Sequence, residues 1–473
     1  MRLDRSILTP AARRALKACA DAGGRPVLAG GCVRDALLHV DIKDFDVEVY
    51  GDVDPDRLCA ELSAIGAADL TGKAFGVMKV RLLGEEIDVS LPRRDIKTAA
   101  GHRGFDVVTG GDLSPEDASA RRDFTVNAMM ADPLTGEVTD RHGGLADLYA
   151  GVLRHTGPAF TEDPLRVLRG MRFAARYGFT MAPETVQLCR SISGAFAELP
   201  AGRVWGEFRQ LGTRGTDITA GLAVLADTGW ERHFPQLAAL HGIRQDRRWH
   251  PEGDAHVHSG LAADQAARLA DEAGLPGDDR FVVVMAALLH DLGKAARTRH
   301  AGLASRLLRR RITSHGHAAA GVEPAVAFLR AAGCPDGLIM RITPLVKEHM
   351  SCQVRPSPPA VRRLARRLQP ATLEELALIC SADRKGRGDP DAASGADAWL
   401  EMGRGLSVQE EPVRGILTGY HLIAAGMIPG PAFRPVLAAA VTAQDAGEFA
   451  DEEGALQWLT GNYLPAAVHS RRA

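Results

Sequence analysis

The spacing of apolar and polar residues changes character along the chain. Near the start, the apolar run Val27–Ala29 closes on Gly30-Gly31, and an amphipathic run then opens with Val33, Arg34 and Asp35. That order predicts a strand, a tight turn and a helix N-terminus. Phe45 to Tyr50 alternates apolar and acidic positions, the period of a half-buried strand. Helical spacing marks residues 1 to 24, through Ala15, Leu16 and Cys19, and again Pro55 to Ile65. Further strands are predicted over Phe75–Leu83 and Glu86–Leu91. Strands interleaved with helices make this an α/β head. Pro92 to Gly111, rich in Arg, Lys and Gly (Arg93, Arg94, Lys97, His102, Arg103), reads as a mobile loop beside the head's site.

Beyond the head the pattern is helical. On a wheel of Thr161–Tyr177, Arg166, Arg169, Arg172 and Arg176 share one band, while Val167, Leu168, Met171, Ala174 and Ala175 face the other way. Residues 200 to 240 carry helical patterns, and Phe281–Leu289 is almost wholly apolar. After residue 390 the chain is Ala-rich with Pro and Gly breaks, and Arg414–Met427 reads as a helix–turn unit that packs on the preceding domain. The expected fold class is an α/β head followed by an all-α neck, a histidine-bearing helical domain and a helical tail. The expected boundaries are 1–149, 150–245, 246–390 and 391–473.

Composition narrows the function without naming it. A chain of 473 residues has ample length for several cores, and a formal net charge of -2 leaves any nucleic-acid contact to local basic faces. The seven cysteines form no Cys-x-x-Cys pair, which argues for buried thiols in a reducing cytoplasm rather than a disulfide frame or zinc site. No signal peptide or membrane span is expected, so the reading is a soluble cytoplasmic protein.

The candidate chemistry of the head begins at Gly30-Gly31 and Arg34. A helix start behind a Gly turn offers free N–H groups and a positive dipole end to a phosphate. On the next strand Asp44 and Asp46 stand two residues apart, so both carboxylates point to one face. Two neighbouring carboxylates repel unless a cation sits between them. Asp88, on a later strand, is read either as a third metal carboxylate or as a solvent-facing strand residue. Arg121, Arg122, Asp123 and Asn127 supply guanidinium forks for a triphosphate and donors for ribose hydroxyls, or else form an ordinary helix start. Glu162, Asp163 and Arg166 open the arginine-striped helix. Asp163 caps it, or a carboxylate acceptor and a guanidinium fork one turn apart read the edge of a base, with Arg169 beside them.

These head motifs, in this order, resemble the class II nucleotidyltransferases of the DNA polymerase β superfamily, meaning the tRNA CCA-adding enzymes and bacterial poly(A) polymerases. The resemblance implies a polymerase β-like head and Mg²⁺ on Asp44 and Asp46. It also implies ribose selection by Arg121-Arg122-Asp123-x-x-x-Asn127, and a choice of CTP and ATP by Glu162, Asp163 and Arg166. Asp140, Gly143, Gly144, Asp147, Leu148 and Arg154 match that family's link between head and neck, and Arg203–Glu207 its neck segment, where no chemistry is expected.

Histidines cluster from Trp249 onward. His256 and His258 precede a helix, His290-Asp291 closes the apolar one, His315, His317 and His349 follow, and Asp383 ends another. Burying His and Asp together costs several kcal/mol, roughly, unless a cation or hydrogen bonds compensate. Imidazole with carboxylate suits a borderline divalent ion. His258, His290, Asp291 and Asp383 resemble the ligand set of the HD metal-dependent phosphohydrolases. His315 and His317 are read as added ligands or phosphate contacts. The resemblance implies Mg²⁺, Mn²⁺ or Ni²⁺ there and hydrolysis of phosphomonoesters or 2′,3′-cyclic phosphates.

The combined expectation is template-independent CCA addition to the 3′ end of tRNA, gripped by its acceptor arm, from CTP and ATP, with a phosphohydrolase alongside. The alternatives are a poly(A) polymerase, an A-adding or CC-adding specialist, and an RNA-binding phosphohydrolase with an inactive head.

Overall fold

The structure, a computed structural model, describes residues 1–69, 77–97, 105–109, 114–298, 312–389 and 392–464. The chain divides into two compact units, one made of 1–211 with 220–233 and the other of 212–219 with 234–473.

The first unit is built on a seven-stranded sheet in the order β3-β4-β5-β2-β1-β8-β9. Its strands are β1 (Arg25–Ala29), β2 (Phe45–Tyr50), β3 (Ala67–Asp69), β4 (Val77–Leu82), β5 (Glu85–Ser90), β8 (Met130–Ala131) and β9 (Val138–Thr139). β1 runs antiparallel to β2, while β2 runs parallel to β5 with Asp46 opposite Asp88. The alternation in β2 is clean, with Phe45, Val47 and Val49 buried on one face and Asp46 and Glu48 on the other. Helix Pro10–Asp21, capped by Thr9 and started by Pro10, packs a stripe of small buried residues (Ala11, Ala15, Cys19) onto β1, β2 and β5.

One expectation changes here. Of the stretch read as a loop, Arg93–Lys97 (β6) and Phe105–Thr109 (β7) pair as an antiparallel ladder, and 98–104 and 110–111 lie outside the described residues. Charge alone misled, because strand pairing satisfies the backbone whatever the side chains carry. Of the strand expected over Phe75–Leu83, Val77–Leu82 is β4 and residues 75–76 lie outside the described residues.

The second unit is helical. Helices Ala255–Glu272, Gly277–Leu289, Asp336–Glu348 and Leu373–Lys385 pack on one another. Every residue of Arg280–Leu289 is buried, so this helix is apolar all round because it has no solvent face. Its one buried charge, Arg280, is fully engaged by Asp271 and the carbonyls of Gly212 and Gly215. The tail has its own small core of Leu417, Leu422, Val436, Phe449 and Leu459. It docks through helix Phe433–Ala446 on helix Pro358–Leu368, where Arg366 pairs with the buried Asp445. Among the described residues, no helix is long and apolar enough to cross a membrane.

Candidate active sites

In the head, the strand order brings three carboxylates to one place. Asp46 faces outward from β2, Asp88 is its register partner on β5, and the exposed Asp44 precedes β2. Burial raises the pKa of Asp46, and the charges of Asp88, Asp44 and Glu48 raise it further, with Arg122 opposing them. That mutual repulsion is what a divalent cation relieves, and hard carboxylate oxygens are its usual donors. The residues present therefore fit such an ion. Lys79 meanwhile offsets Asp88 at 3.0 Å.

Gly30 has φ +71°, and a Cβ there would lie 2.2 Å from Arg122 Nη1 and 3.3 Å from Asp46 Oδ2. Both the backbone conformation and the close approach call for glycine. The turn thus lies against the Asp46 carboxylate. Gly31 starts the short helix Gly31–Leu37.

The arginines expected at the nucleotide are all engaged within the protein. Arg34, only 4% exposed, donates to Asp35 and Asn127 and lies over the rings of Phe173 and Tyr177. Arg121 pairs with Glu162 at 2.9 Å, and Arg122 with Glu48. Arg169 donates to Asp123 at 2.6 Å, and Arg166 donates to the carbonyls of Ala159 and Arg121, each at 2.6 Å. Burial opposes ionisation of Asp123, yet Arg169, the Asn127 amide and the Phe124 N–H outweigh it and hold this carboxyl well below the usual range.

Asp123 and Asn127 meet at 2.8 Å, but not on a regular α-helix as their spacing suggested. Asp123 stands just before, and Asn127 ends, a short 3₁₀ turn, Thr125–Asn127. Phe124, fully buried edge-on to Phe160 and Phe173, pins that turn to helix Leu165–Tyr177.

The arginine band of that helix is not a solvated face. Arg172 is buried against Glu207 at 2.6 Å, and Arg176 reaches Asp35. Asp163 accepts from Leu165 N at the helix start and from both terminal nitrogens of Arg203, at 2.8 and 3.2 Å. Arg203 and Glu207, to which no chemistry was assigned, are thus the partners of Asp163 and Arg172. Their spacing of four puts both side chains on one face of helix Ala201–Arg214, but nothing in the sequence names their distant partners.

In the second unit His258, His290, Asp291 and Asp383 converge as expected. His258 Nε2 lies 3.0 Å from Asp383 Oδ1 and 3.6 Å from Asp291 Oδ2, and His290 Nε2 lies 3.2 Å from Asp291 Oδ2. His317 and His349 join them. The two Nε2 atoms are 3.1 Å apart, and His317 Nε2 is 3.2 Å from the second oxygen of Asp291. His315 is exposed, and His256 lies outside this cluster.

His290 and His349 occupy the same place, the cap position just past the end of helices Gly277–Leu289 and Asp336–Glu348. Burial, with His290 nearby, pushes the His349 pKa down to about 3, so the ring stays neutral with a lone pair to offer. Burial opposes ionisation of Asp291, but His290, Lys294 and His317 outweigh it and keep its carboxyl well below the usual range. Imidazole nitrogens around ionised carboxylates form a donor set that fits a borderline divalent ion. A cavity of about 830 Å³ opens onto these groups, lined also by Lys294, Arg384, Arg387 and Trp249.

A carboxylate site on a mixed sheet and a histidine–aspartate site in a helical domain define a nucleotidyltransferase head joined to an HD domain. The comparisons agree. Residues 27–154 match the poly A polymerase head domain, and residues 256–386 match the HD domain. The chain is 37% identical over 432 residues to the multifunctional CCA protein of Xanthomonas campestris pv. campestris (strain B100), covering 87% of this chain and 96% of that one. It belongs to the multifunctional CCA protein family.

Its fold is that of the Bacillus stearothermophilus CCA-adding enzyme solved in complex with CTP (TM-score 0.64, 19% identity, 96% of this chain and 98% of that one). It is likewise similar to the Thermotoga maritima CCA-adding enzyme complexed with a tRNA (TM-score 0.52, 19% identity, 95% and 94%).

Proposed function

We propose that this protein completes the 3′ end of tRNA by template-independent addition of C, C and A from CTP and ATP, and that its HD domain hydrolyses phosphomonoesters or 2′,3′-cyclic phosphates. The observation that carries the first activity is the Asp44, Asp46 and Asp88 cluster against the Gly30 turn, in a chain of this family.

The tRNA 3′-oxygen attacks the α-phosphorus of the incoming nucleotide, and the bond to pyrophosphate breaks. Asp44 and Asp46, with Asp88 alongside, would hold Mg²⁺. When bound, Mg²⁺ supplies activation of the attacking hydroxyl and neutralisation of the leaving group. Gly30 and Gly31 leave room for the triphosphate, and Arg34 and Arg122 stand beside them to bind it. Arg121, Asp123, Asn127 and Arg169 shape the sugar and phosphate side. Asp163 and Arg166 hydrogen-bond the base, with Arg203 exchanging partners as Asp163 turns to it. The helical regions would grip the acceptor arm through phosphates and A-form shape rather than sequence.

In the HD domain, His258, His290, Asp291 and Asp383, extended by His317 and His349, would hold a divalent ion (Mg²⁺, Mn²⁺ or Ni²⁺). Six donors exceed the four of a single tetrahedral site. Lys294, Arg384 and Arg387 place positive charge around the cavity for a phosphate. The cytoplasm is the setting that fits these substrates and the buried free thiols.

The test offers the purified chain tRNAs ending before C, after C, after CC and after CCA, with CTP and ATP singly and together. Stepwise addition that halts at CCA is the expected result. A long A tail means poly(A) polymerase, a halt after CC or addition of A alone means a specialist, and no incorporation leaves only the HD activity.

A further inference from the structure

Of the four imidazoles at the HD site, three turn Nε2 inward by a hydrogen bond at Nδ1, and the fourth is held differently. His290 Nδ1 pairs with the carbonyl of Ala287 at 2.7 Å, His349 Nδ1 with that of Val346 at 2.7 Å, and His317 Nδ1 with that of Ser314 at 2.8 Å. In each case the acceptor lies three residues back along the chain. For His290 and His349 the reason is their position at a helix end, where the last carbonyls have no intrahelical partner.

His258 has no such option. It sits in the first turn of helix Ala255–Glu272, where the groups left free are N–H donors, and it is fully buried. Its Nδ1 lies instead 2.7 Å from Oε1 of Glu252, an ion-pair contact without hydrogen-bond alignment, and Glu252 belongs to the loop that leads into the helix. The same oxygen is 2.9 Å from Nδ1 of His250, whose ring stands edge-on to His258 and lines the cavity. Glu252 has a 3% exposed side chain, and its second oxygen is buried without a hydrogen-bond partner. A buried carboxylate oxygen left without a partner costs the fold stability. A fold that only needed a loop filled would carry an apolar residue there.

We infer that Glu252 is a positioning residue for cation binding at the HD site, holding His258 so that Nε2 points at Asp383 and Asp291 and making that nitrogen a better ligand. This inference rests on the reading that the site takes a divalent ion. Asp291 and Asp383 are each offset by a cation, Lys294 and Arg387. Glu252 restores one negative charge a layer further out, where it favours a metal without competing for it.

The experiment uses the full chain, stripped of metal, as wild type, Glu252→Gln and Glu252→Ala. Each is dialysed to equilibrium against Mn²⁺ and, separately, Ni²⁺ with bound metal measured, and each is melted in chelator. Affinity falls about 10–100-fold in Glu252→Ala, with Glu252→Gln between, while the metal-free melting temperatures stay together. The visible spectrum of the Co²⁺-loaded protein also changes in Glu252→Ala, because one ligand is reoriented. Affinities within twofold of wild type in both variants overturn the role given to Glu252. So does a metal-free melting loss in Glu252→Ala with unchanged affinity in the folded Glu252→Gln. A wild-type chain that binds neither metal overturns the metal reading itself.

Discussion

The head site and the HD site answer the same problem, holding negative oxygen next to phosphate, in opposite ways. In the head, the carboxylates are partly exposed and arginines engaged with protein acceptors surround them: Arg122 on Glu48, Arg34 on Asp35 and Asn127, Arg203 on Asp163. The partly exposed pairs of Arg122 and Arg203 can be exchanged for a ligand at little net cost, because one hydrogen bond replaces another. In the HD domain, the imidazoles are anchored at Nδ1 and buried, so their geometry is set before any ligand arrives. A site that must accept two different nucleotides in turn gains from exchangeable partners. A site that repeats one hydrolysis gains from fixed ones.

The largest effect expected is a separation of the two activities. Asp46→Ala should lower nucleotide incorporation by about 10³-fold or more while leaving phosphohydrolysis at wild-type rate. Incorporation that survives would remove the carboxylate cluster from the mechanism. Metal removal sharpens the same contrast. After stripping with chelator, Mg²⁺ alone should restore incorporation, whereas the nitrogen-rich HD site should recover more fully with Mn²⁺ or Ni²⁺. Equal recovery of both activities with Mg²⁺ alone would erase the distinction between them.

A smaller effect belongs to base choice. Asp163→Ala should reduce discrimination between correct and incorrect nucleotides by about 10–100-fold, the worth of one or two base hydrogen bonds. The readout is kcat/KM for CTP and ATP on tRNAs ending before each step, and a uniform loss for both nucleotides would make Asp163 a helix cap only.

The smallest concerns the scaffold around the HD site. Burial, together with the charge of Asp217, raises the Asp264 pKa to about 6, although Thr219 donates to it through N and Oγ1. With a folded pKa above the unfolded one, the stability linked to its protonation is full below about pH 4 and lost as pH rises through about 6. Asp264→Asn keeps the acceptor without the charge. It should therefore stabilise the chain at pH 8, by at most about 3 kcal/mol, and change little at pH 4. Melting curves at the two pH values check the sign.

Much of this was legible in the chain. The turn at Gly30, the Asp44-x-Asp46 strand and the helix closing on His290-Asp291 announce themselves through local spacing, because strand and helix periods decide which side chains share a face. The loop expected over Pro92–Gly111 failed at Arg93–Lys97 and Phe105–Thr109, since strand pairing depends on a partner strand as well as on local charge. Asp88 stayed open for the same reason: alternation puts it on a face, but only the parallel pairing of β2 with β5 sets it beside Asp46.

By itself, then, the sequence determined the order of the elements, the family-specific motifs and the residue types at both sites. These are short-range properties of pattern and chemistry. The tertiary structure decided that Asp88 faces Asp46, that Arg203 holds Asp163, that His317 and His349 complete the histidine cluster, and that Glu252 supports His258. Each of these depends on packing between segments, or on which helix end leaves its backbone groups free, and neither is written in the spacing of any one stretch.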